Sequence, residues 1–223
     1  MLNRLLDTVT VLALIAVITI GGRMMWERWQ QNAAQRDREI DGWQTLALDG
    51  HRMGPQDASV VILEWGDYQC PGCRSIAPVL DEIRAEYPND VAIVYRHWPL
   101  TRHPFAFQAA RGAECAAGQS MFEPVHAALN RESGWATSVE GDSITGLVKM
   151  AAAVGVPDTA AFRACVASGA PDARIHRDVE EVLALETRGT PTLIINGVYA
   201  ASGLSPDAIR ERVVEALESA RGG

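Results

Sequence analysis

The chain has 223 residues, four cysteines and a formal net charge of -8 at pH 7. This length allows one domain of generous size with an appendage. Because nucleic-acid-binding proteins usually carry a basic face, the excess of 28 Asp and Glu over 20 Lys and Arg argues against a nucleic-acid partner.

The N-terminal 26 residues are predicted to anchor the chain in a membrane. Residues 8–22 carry no charged side chain. With residues 5–6 and the interfacial residues 24–26, the apolar stretch approaches the roughly 20 residues that a bilayer requires. A cleaved signal peptide is the alternative, but no small-x-small cleavage site follows the apolar run. We expect an uncleaved anchor or signal-anchor over residues 1–26 and a helical stalk or linker over residues 27–50.

An α/β pattern begins after the linker. We predict a strand over residues 60–65, a helix over residues 70–87 and a strand over residues 91–96. This order implies a parallel βαβ unit. Ala-rich amphipathic runs then predict five helices, over residues 105–119, 123–130, 143–154, 159–168 and 173–187.

Strand character returns near the C-terminus. Residues 192–195 predict a strand, Asn196-Gly197 is a strong hairpin-turn signal, and residues 198–201 can pair back. A final helix is expected from Ser205 to about residue 220, since Ser-Pro suits an N-cap and first turn.

Two cysteines lie at the predicted junction between the first strand and its helix, in Cys70-Pro71-Gly72-Cys73. We expect Cys70 to be exposed at the helix N-terminus, where unpaired N–H groups and the helix dipole favour a thiolate. Cys73, one turn further on, can attack any mixed disulfide that Cys70 forms. The motif therefore favours a redox-active cysteine pair.

Two other interpretations of the cysteine pair are weaker. A structural zinc site needs two more closely spaced ligands, which His97 and His103, six residues apart, do not supply. An inert structural disulfide is the second alternative. We expect no metal and no cofactor other than the cysteine pair. A βαβ unit with Cys-x-x-Cys, followed by a β-hairpin and a helix, is the arrangement of the thioredoxin fold.

Five segments together resemble the DsbA-like family of thiol-disulfide oxidoreductases, namely residues 67–73 (DYQCPGC), 95–100 (YRHWPL), 103–104 (HP), 189–192 (GTPT) and 195–197 (ING). The resemblance covers about residues 50–220. It implies an α/β thioredoxin-like domain over residues 51–102 and 187–223, with an α-helical insertion over residues 103–186. It also implies an extracytoplasmic enzyme that exchanges disulfides with protein or peptide substrates, and a membrane redox partner that resets the cysteine pair.

The resemblance also assigns roles to single residues. Cys70 is the attacking residue and Cys73 the resolving one. Thr190-Pro191 matches the family's cis-proline, which would present the Thr190 backbone to a substrate strand; a trans proline at a strand start is the alternative. Glu64 matches a buried acid that relays a proton, the alternative being a solvent-facing Glu at a strand end.

The dipeptide between the cysteines departs from DsbA, because Pro71-Gly72 lacks the histidine that would stabilise the thiolate. The chain could therefore be an oxidase, an isomerase or a reductase. A non-catalytic module that binds a peptide or a membrane partner stays open as a second class of function.

The remaining cysteines, Cys115 and Cys165, are predicted to form a structural disulfide within the helical insertion. Both lie in amphipathic helical runs, and a secreted domain seldom leaves two thiols free. Two buried free cysteines are the alternative. The even number of cysteines and the anchor-like segment predict that the domain faces the periplasm or another extracytoplasmic space.

Overall fold

The computed structural model describes residues 14, 16–26, 38–131, 135, 143–200 and 205–222. The chain divides into two units, Met1–Arg38 and Glu39–Gly223. In the first unit, the described residues 16–26 are helical and exposed, and several of them are large and apolar. No helix within the described residues combines the length and hydropathy needed to cross a bilayer. Much of the predicted anchor, residues 1–13 and 15, lies outside the described residues, as do residues 27–37 of the predicted linker.

The second unit is built on a five-stranded sheet of order β1-β3-β2-β4-β5. The strands are β1 (His51–Met53), β2 (Val60–Gly66), β3 (Val91–His97), β4 (Thr192–Ile195) and β5 (Val198–Ala200). Strands β2 and β3 are parallel, and the other neighbours are antiparallel. Every residue of β2 and β3 is buried, which accounts for their nearly continuous apolar sequences.

Eight helices of this unit fall within the described residues: α1 (Trp43–Leu48), α2 (Pro71–Glu86), α3 (Ala106–Ala117), α4 (Phe122–Arg131), α5 (Ser143–Ala153), α6 (Thr159–Ser168), α7 (Asp172–Ala184) and α8 (Pro206–Gly222). The βαβ unit and the hairpin therefore occur where the sequence predicts them. Asn196 and Gly197 have φ values of 45° and 88°, the positive values that a tight hairpin turn requires.

The two faces of the sheet contribute to two apolar clusters. On one face, Ile62 belongs to a cluster with Leu80 of α2 and Val213 of α8. Apolar residues from helices of the insertion belong to the same cluster. On the other face, Trp65 belongs to a cluster with Val182 of α7. The alternation along β2 thus determines which helices each side chain meets.

The predicted linker over residues 27–50 is too long. Ile40 and Ala47 are only 7% exposed and belong to the cluster on the second face of the sheet. The Ile40 N–H donates to the Gly197 carbonyl at 2.7 Å. A Cβ on Gly197 would clash with Trp43 Cδ1, so this tryptophan packs directly on the hairpin turn. Residues 39–50 therefore belong to the globular unit.

The boundary of the predicted insertion, residues 103–186, also needs correction. Helix α7 falls within that range, yet it packs against β3 of the sheet. Arg96 of β3 is fully buried and donates to Asp178 of α7 at 2.7 Å. Asp178 also accepts from the His97 N–H at 2.8 Å. A buried charged pair with these hydrogen bonds holds α7 on the sheet, so α7 acts as a sheet-covering helix.

Candidate active site

Cys70 occupies the N-cap position of α2, with Pro71 in the first turn. Its N–H donates to the Asp67 carbonyl at 3.0 Å, and its own carbonyl accepts from the Arg74 N–H at 3.1 Å. Proline is favoured at this position because its fixed φ suits a helix start and its missing N–H would be unpaired anyway. The sequence thus places the first cysteine where free N–H groups converge. Cys70 is only 5% exposed, however, so the expected exposed position is wrong.

The two sulfurs, both free thiols in this structure, have unequal environments. The hydrogen bond from the Cys73 thiol is the main cause that lowers the pKa of Cys70 to about 5, against the opposing effect of burial. Burial raises the pKa of Cys73 far above its ordinary value. Cys73 is 1% exposed and its Sγ accepts from the Asp67 N–H at 3.4 Å. Near neutral pH, the pair therefore holds one thiolate, at Cys70.

The loop before β4 covers the Cys70 sulfur. The Thr190-Pro191 peptide bond is cis, and Cys70 Sγ lies 3.4 Å from the Thr190 carbonyl oxygen. A Cβ on Gly72 would lie 3.2 Å from Pro191 Cδ, tighter than ordinary van der Waals contact. Glycine between the cysteines thus permits the close approach of the cis-proline. This loop explains why Cys70 is nearly buried.

Asp67 holds the loop that carries Cys70, a role that the sequence analysis above does not assign. Its side chain is fully buried. The carboxylate accepts from the Gln69 N–H at 2.7 Å and the Leu100 N–H at 2.9 Å, and it pairs with His103 Nδ1 at 2.7 Å. These contacts join the β2–α2 loop to the segment after β3. An acid at the end of a strand, three residues before Cys70, is the signal in the sequence.

Glu64 is buried in the middle of the fold, only 3% exposed. It pairs with Tyr95 in the register of β2 and β3. Burial, with a further contribution from the charge of Asp81, raises the pKa of Glu64 to about 8. Its charge is also close enough to raise the pKa of Cys73. Glu64 is therefore protonated at neutral pH and can give up its proton as the pH rises through the mildly alkaline range.

A cleft of about 480 Å³ lies between α2 and α4, starting at Pro71 beside Cys70. Arg74, Asp81, His126 and Asn130 line it. The ring of His126 is bound by the Tyr68 hydroxyl at 3.0 Å and by Asn130 Nδ2 at 3.2 Å. Burial lowers the pKa of His126 to about 3, so its ring is neutral at the cleft wall.

The other predicted residues have partners outside the Cys70-Cys73 pair. Cys115 of α3 and Cys165 of α6 are joined in a disulfide, with their Cα atoms 5.8 Å apart. His97 and His103, the two histidines considered as zinc ligands, have different partners. His97 Nε2 lies 2.9 Å from Glu114 Oε1, whereas His103 pairs with Asp67.

Comparisons with known proteins agree on the fold. A family model described as thioredoxin matches residues 47–215. The chain is similar to a solved thioredoxin-like oxidoreductase from Silicibacter pomeroyi, with 26% identity, a TM-score of 0.64, and coverage of 78% of this chain and 94% of that one. BdbD from Bacillus subtilis, solved in the oxidised form, gives a TM-score of 0.68 over 82% of this chain and 98% of that one. At 16% identity, it supports the fold alone.

The curated relatives are much longer proteins. Over 159 residues, the chain is 35% identical to a protein named Na(+)/H(+) antiporter NhaA 1 from Mycolicibacterium vanbaalenii. The match covers 66% of this chain and 23% of that protein, so the chain spans about a quarter of the length of the curated relatives it matches. The antiport named there belongs to those longer proteins.

Proposed function

Because the chain belongs to the thioredoxin family, we propose that it is a DsbA-like thiol-disulfide oxidoreductase that introduces disulfides into extracytoplasmic proteins through Cys70 and Cys73. The observation that carries the proposal is the unequal environment of the two sulfurs. Cys70, with a pKa lowered to about 5, begins a helix beside a cis-proline, whereas Cys73 is buried behind it. Such a pair has one nucleophilic sulfur at the helix start and one, with a raised pKa, that resolves.

The proposed reaction begins with the oxidised Cys70-Cys73 pair. A substrate thiolate attacks Cys70 Sγ, the enzyme disulfide breaks, and its electron pair leaves on Cys73, which takes a proton. A second thiolate of the substrate attacks the substrate sulfur of the mixed disulfide, and Cys70 leaves as a thiolate. Two substrate thiols thus become one disulfide, and the enzyme gains the two electrons.

The net direction depends on how well the reduced form is stabilised. A low pKa at Cys70 stabilises the dithiol state, and a more stable dithiol makes the disulfide a stronger oxidant. This favours the oxidase over the isomerase and the reductase, which the same cysteine pair could also support. Without a histidine at Gly72, we expect a milder oxidant than DsbA.

Glu64 is proposed to exchange the proton of Cys73. Cys73 needs a proton when it leaves the enzyme disulfide and loses one when that disulfide forms again. With a pKa raised to about 8, the buried Glu64 carries a proton that it can release within the pH range of the reaction. Its effect on the pKa of Cys73 supports electrostatic coupling between the two groups.

Substrate binding is proposed at the Thr190-Pro191 loop. The Thr190 backbone faces Cys70, so an extended peptide that pairs with it would bring its own sulfur to Cys70. The cleft beside Pro71 offers room for the substrate chain on the other side of the sulfur. Contacts through the backbone would suit an enzyme that accepts many sequences.

The location is proposed to be outside the cytoplasm, with residues 1–26 as the anchor and a membrane redox partner that reoxidises Cys70-Cys73. The Cys115–Cys165 disulfide supports an oxidising compartment. The exposed apolar residues among 16–26, including Ile18 and Met25, support contact with lipid. Ion transport is not part of the proposal.

The oxidase proposal is tested by following the oxidation of a reduced, unfolded substrate protein and by equilibrating Cys70-Cys73 with glutathione. We expect catalysed oxidation and a potential between about -120 mV, the value of DsbA, and about -270 mV, the value of thioredoxin. A potential near the thioredoxin value with fast insulin reduction would instead support a reductase. Neither oxidation nor reduction by the wild type would support the non-catalytic binding module.

A further inference from the structure

Three polar side chains that are far apart in the sequence meet on the side of the sheet where the helical insertion packs. His51 comes from β1, His97 from the end of β3 and Glu114 from α3. The Nε2 atom of His51 lies 2.6 Å from Glu114 Oε1, and that of His97 lies 2.9 Å from the same oxygen. Taking one potential ligand atom from each residue, the three atoms lie within 4.8 Å of one another.

The surroundings fix the two histidine rings. His51 stacks on Phe122, with the ring centroids 3.8 Å apart. The backbone N–H of His97 is bound to Asp178, and its ring packs edge-on against Tyr95 at 5.3 Å. The ligand atoms are therefore positioned before any ligand arrives, which reduces the cost of ordering them.

The charge at this cluster is suited to a cation. Oε1 of Glu114 lies within hydrogen-bond distance of the rings of both His51 and His97. The guanidinium of Arg174 approaches Glu114 only to 3.9 Å and is shared with Asp49 and Asp178. The carboxylate is thus mostly buried, in contact with both imidazoles, and without a close guanidinium partner of its own.

Each histidine offers a lone pair from Nε2 when its ring is the neutral tautomer with the proton on Nδ1. Nδ1 of His97 is buried and has no hydrogen-bond partner among the described residues, so no neighbouring donor blocks it from taking up that proton. His51 and Glu114 are 17% and 12% exposed, respectively, which leaves an entry path for an ion. His97, at 1% exposure, forms the floor of the site.

We propose that His51, His97 and Glu114 bind a single divalent cation of the zinc class, with water completing its coordination. Two imidazole nitrogens and one carboxylate oxygen are a ligand set that zinc uses when one position is left open. Tetrahedral zinc spaces such ligands on the order of 3.3 Å apart, so Glu114 Oε1 needs to move only slightly away from each Nε2. On binding, a proton that either Nε2 carries moves to Nδ1 or to solvent.

The ion would link three elements that no covalent bond joins directly. It would tie the edge strand β1 and the end of β3 to α3, the helix that also carries Cys115. A ligand that binds only the folded state stabilises that state, so zinc would raise the stability of the fold. Its properties can be measured without substrate and independently of the proposed redox function.

The test uses the full chain with Cys70-Cys73 oxidised, so that these thiols cannot bind metal. After treatment with a chelator and desalting, the protein is titrated with zinc chloride by calorimetry and with cobalt chloride by visible absorbance. We expect one equivalent of zinc, a cobalt spectrum of a site with nitrogen ligands, and an increase in Tm with zinc. His51→Gln and Glu114→Gln should each weaken zinc binding by more than about tenfold, since even second-shell changes cost 10- to 100-fold.

His176→Gln is the matched control, because this histidine is exposed on α7 and contacts Phe107. It should bind zinc as tightly as the wild type does. Circular dichroism verifies that each variant is folded, and the cobalt spectrum of the wild type tests the site even if a variant does not fold. The proposal is overturned by a wild type that binds no zinc, by unchanged binding in both ligand variants, or by binding of calcium in place of zinc.

Discussion

At the residue scale, the position between the cysteines sets the oxidising strength of the pair. Gly72→His would place an imidazole beside Cys70. If protonated, it stabilises the thiolate, so the pKa of Cys70 should fall below about 5 and the disulfide should become more oxidising. Ultraviolet thiolate absorbance and glutathione equilibration measure the two changes.

Gly72→Ala is the control for this substitution, because its Cβ meets Pro191 Cδ at 3.2 Å but adds no charge. It should leave the pKa of Cys70 near its wild-type value. Equal shifts of the redox potential in both variants would mean that crowding of the cis-proline, and not the imidazole, changes the potential of the Cys70-Cys73 pair.

Glu64 provides a second prediction at this scale, about stability against pH. The folded-state pKa of Glu64, about 8, exceeds its ordinary value of 4.5. The folded protein therefore holds a proton that the unfolded chain loses, and stability falls as pH rises from 4.5 to about 8. Glu64→Gln cannot ionise, so it should flatten this part of the profile and be the more stable protein at pH 8.

Urea unfolding of the oxidised wild type and variant over this pH range provides the measurement, since the cysteine pair does not titrate when oxidised. Reoxidation of the reduced variant should also be slower and less dependent on pH. Parallel stability profiles for the two proteins would show that Glu64 does not carry the raised pKa.

At the scale of the elements, the Cys115–Cys165 disulfide closes a segment of 50 residues between α3 and α6. In the chain-entropy model, such a crosslink contributes roughly 4 kcal/mol. The double variant Cys115→Ala/Cys165→Ala should lose about that much free energy of unfolding in urea, while the reaction rate of Cys70 stays unchanged. A loss of that rate with little change in stability would contradict a purely structural role.

The elements that the sequence reveals are those with a strong local pattern. The apolar runs of β2 and β3, the Asn196-Gly197 turn and the amphipathic helices all occur as expected. Strand β1 does not have such a pattern, since His51 and Arg52 are polar. It is defined by its antiparallel pairing with β3, which the local sequence does not show. The packing of residues 39–50 depends on Trp43 and Gly197, which meet only in three dimensions.

The same difference applies to the candidate site. Cys70, Cys73 and Pro191 are identified by short motifs, because spacing along a helix or before a strand is local. The contacts of Asp67 with Leu100 and His103 cross 33 and 36 residues and leave no periodic signal. Burial of Cys70 likewise depends on a loop 120 residues away.

At the scale of the whole molecule, we expect the globular unit to lie outside the cytoplasm, tethered through residues 5–26. A reporter that is active only in the periplasm, fused after Gly223, should be active in cells. A cytoplasmic reporter at the same position should be inactive. Activity of the cytoplasmic reporter alone would contradict the location and the anchor together.

The central claim is that Cys70 is the sulfur that exchanges with substrates and Cys73 is the one that resolves. Reduced Cys73→Ser and Cys70→Ser proteins are mixed with disulfide-bonded substrate proteins, and the mixed disulfides are counted on non-reducing gels and mapped by mass spectrometry. We expect Cys73→Ser to accumulate mixed disulfides through Cys70 and Cys70→Ser to trap few, since Cys73 is buried and its pKa is raised. Equal trapping by the two variants, or greater trapping through Cys73, would contradict the account.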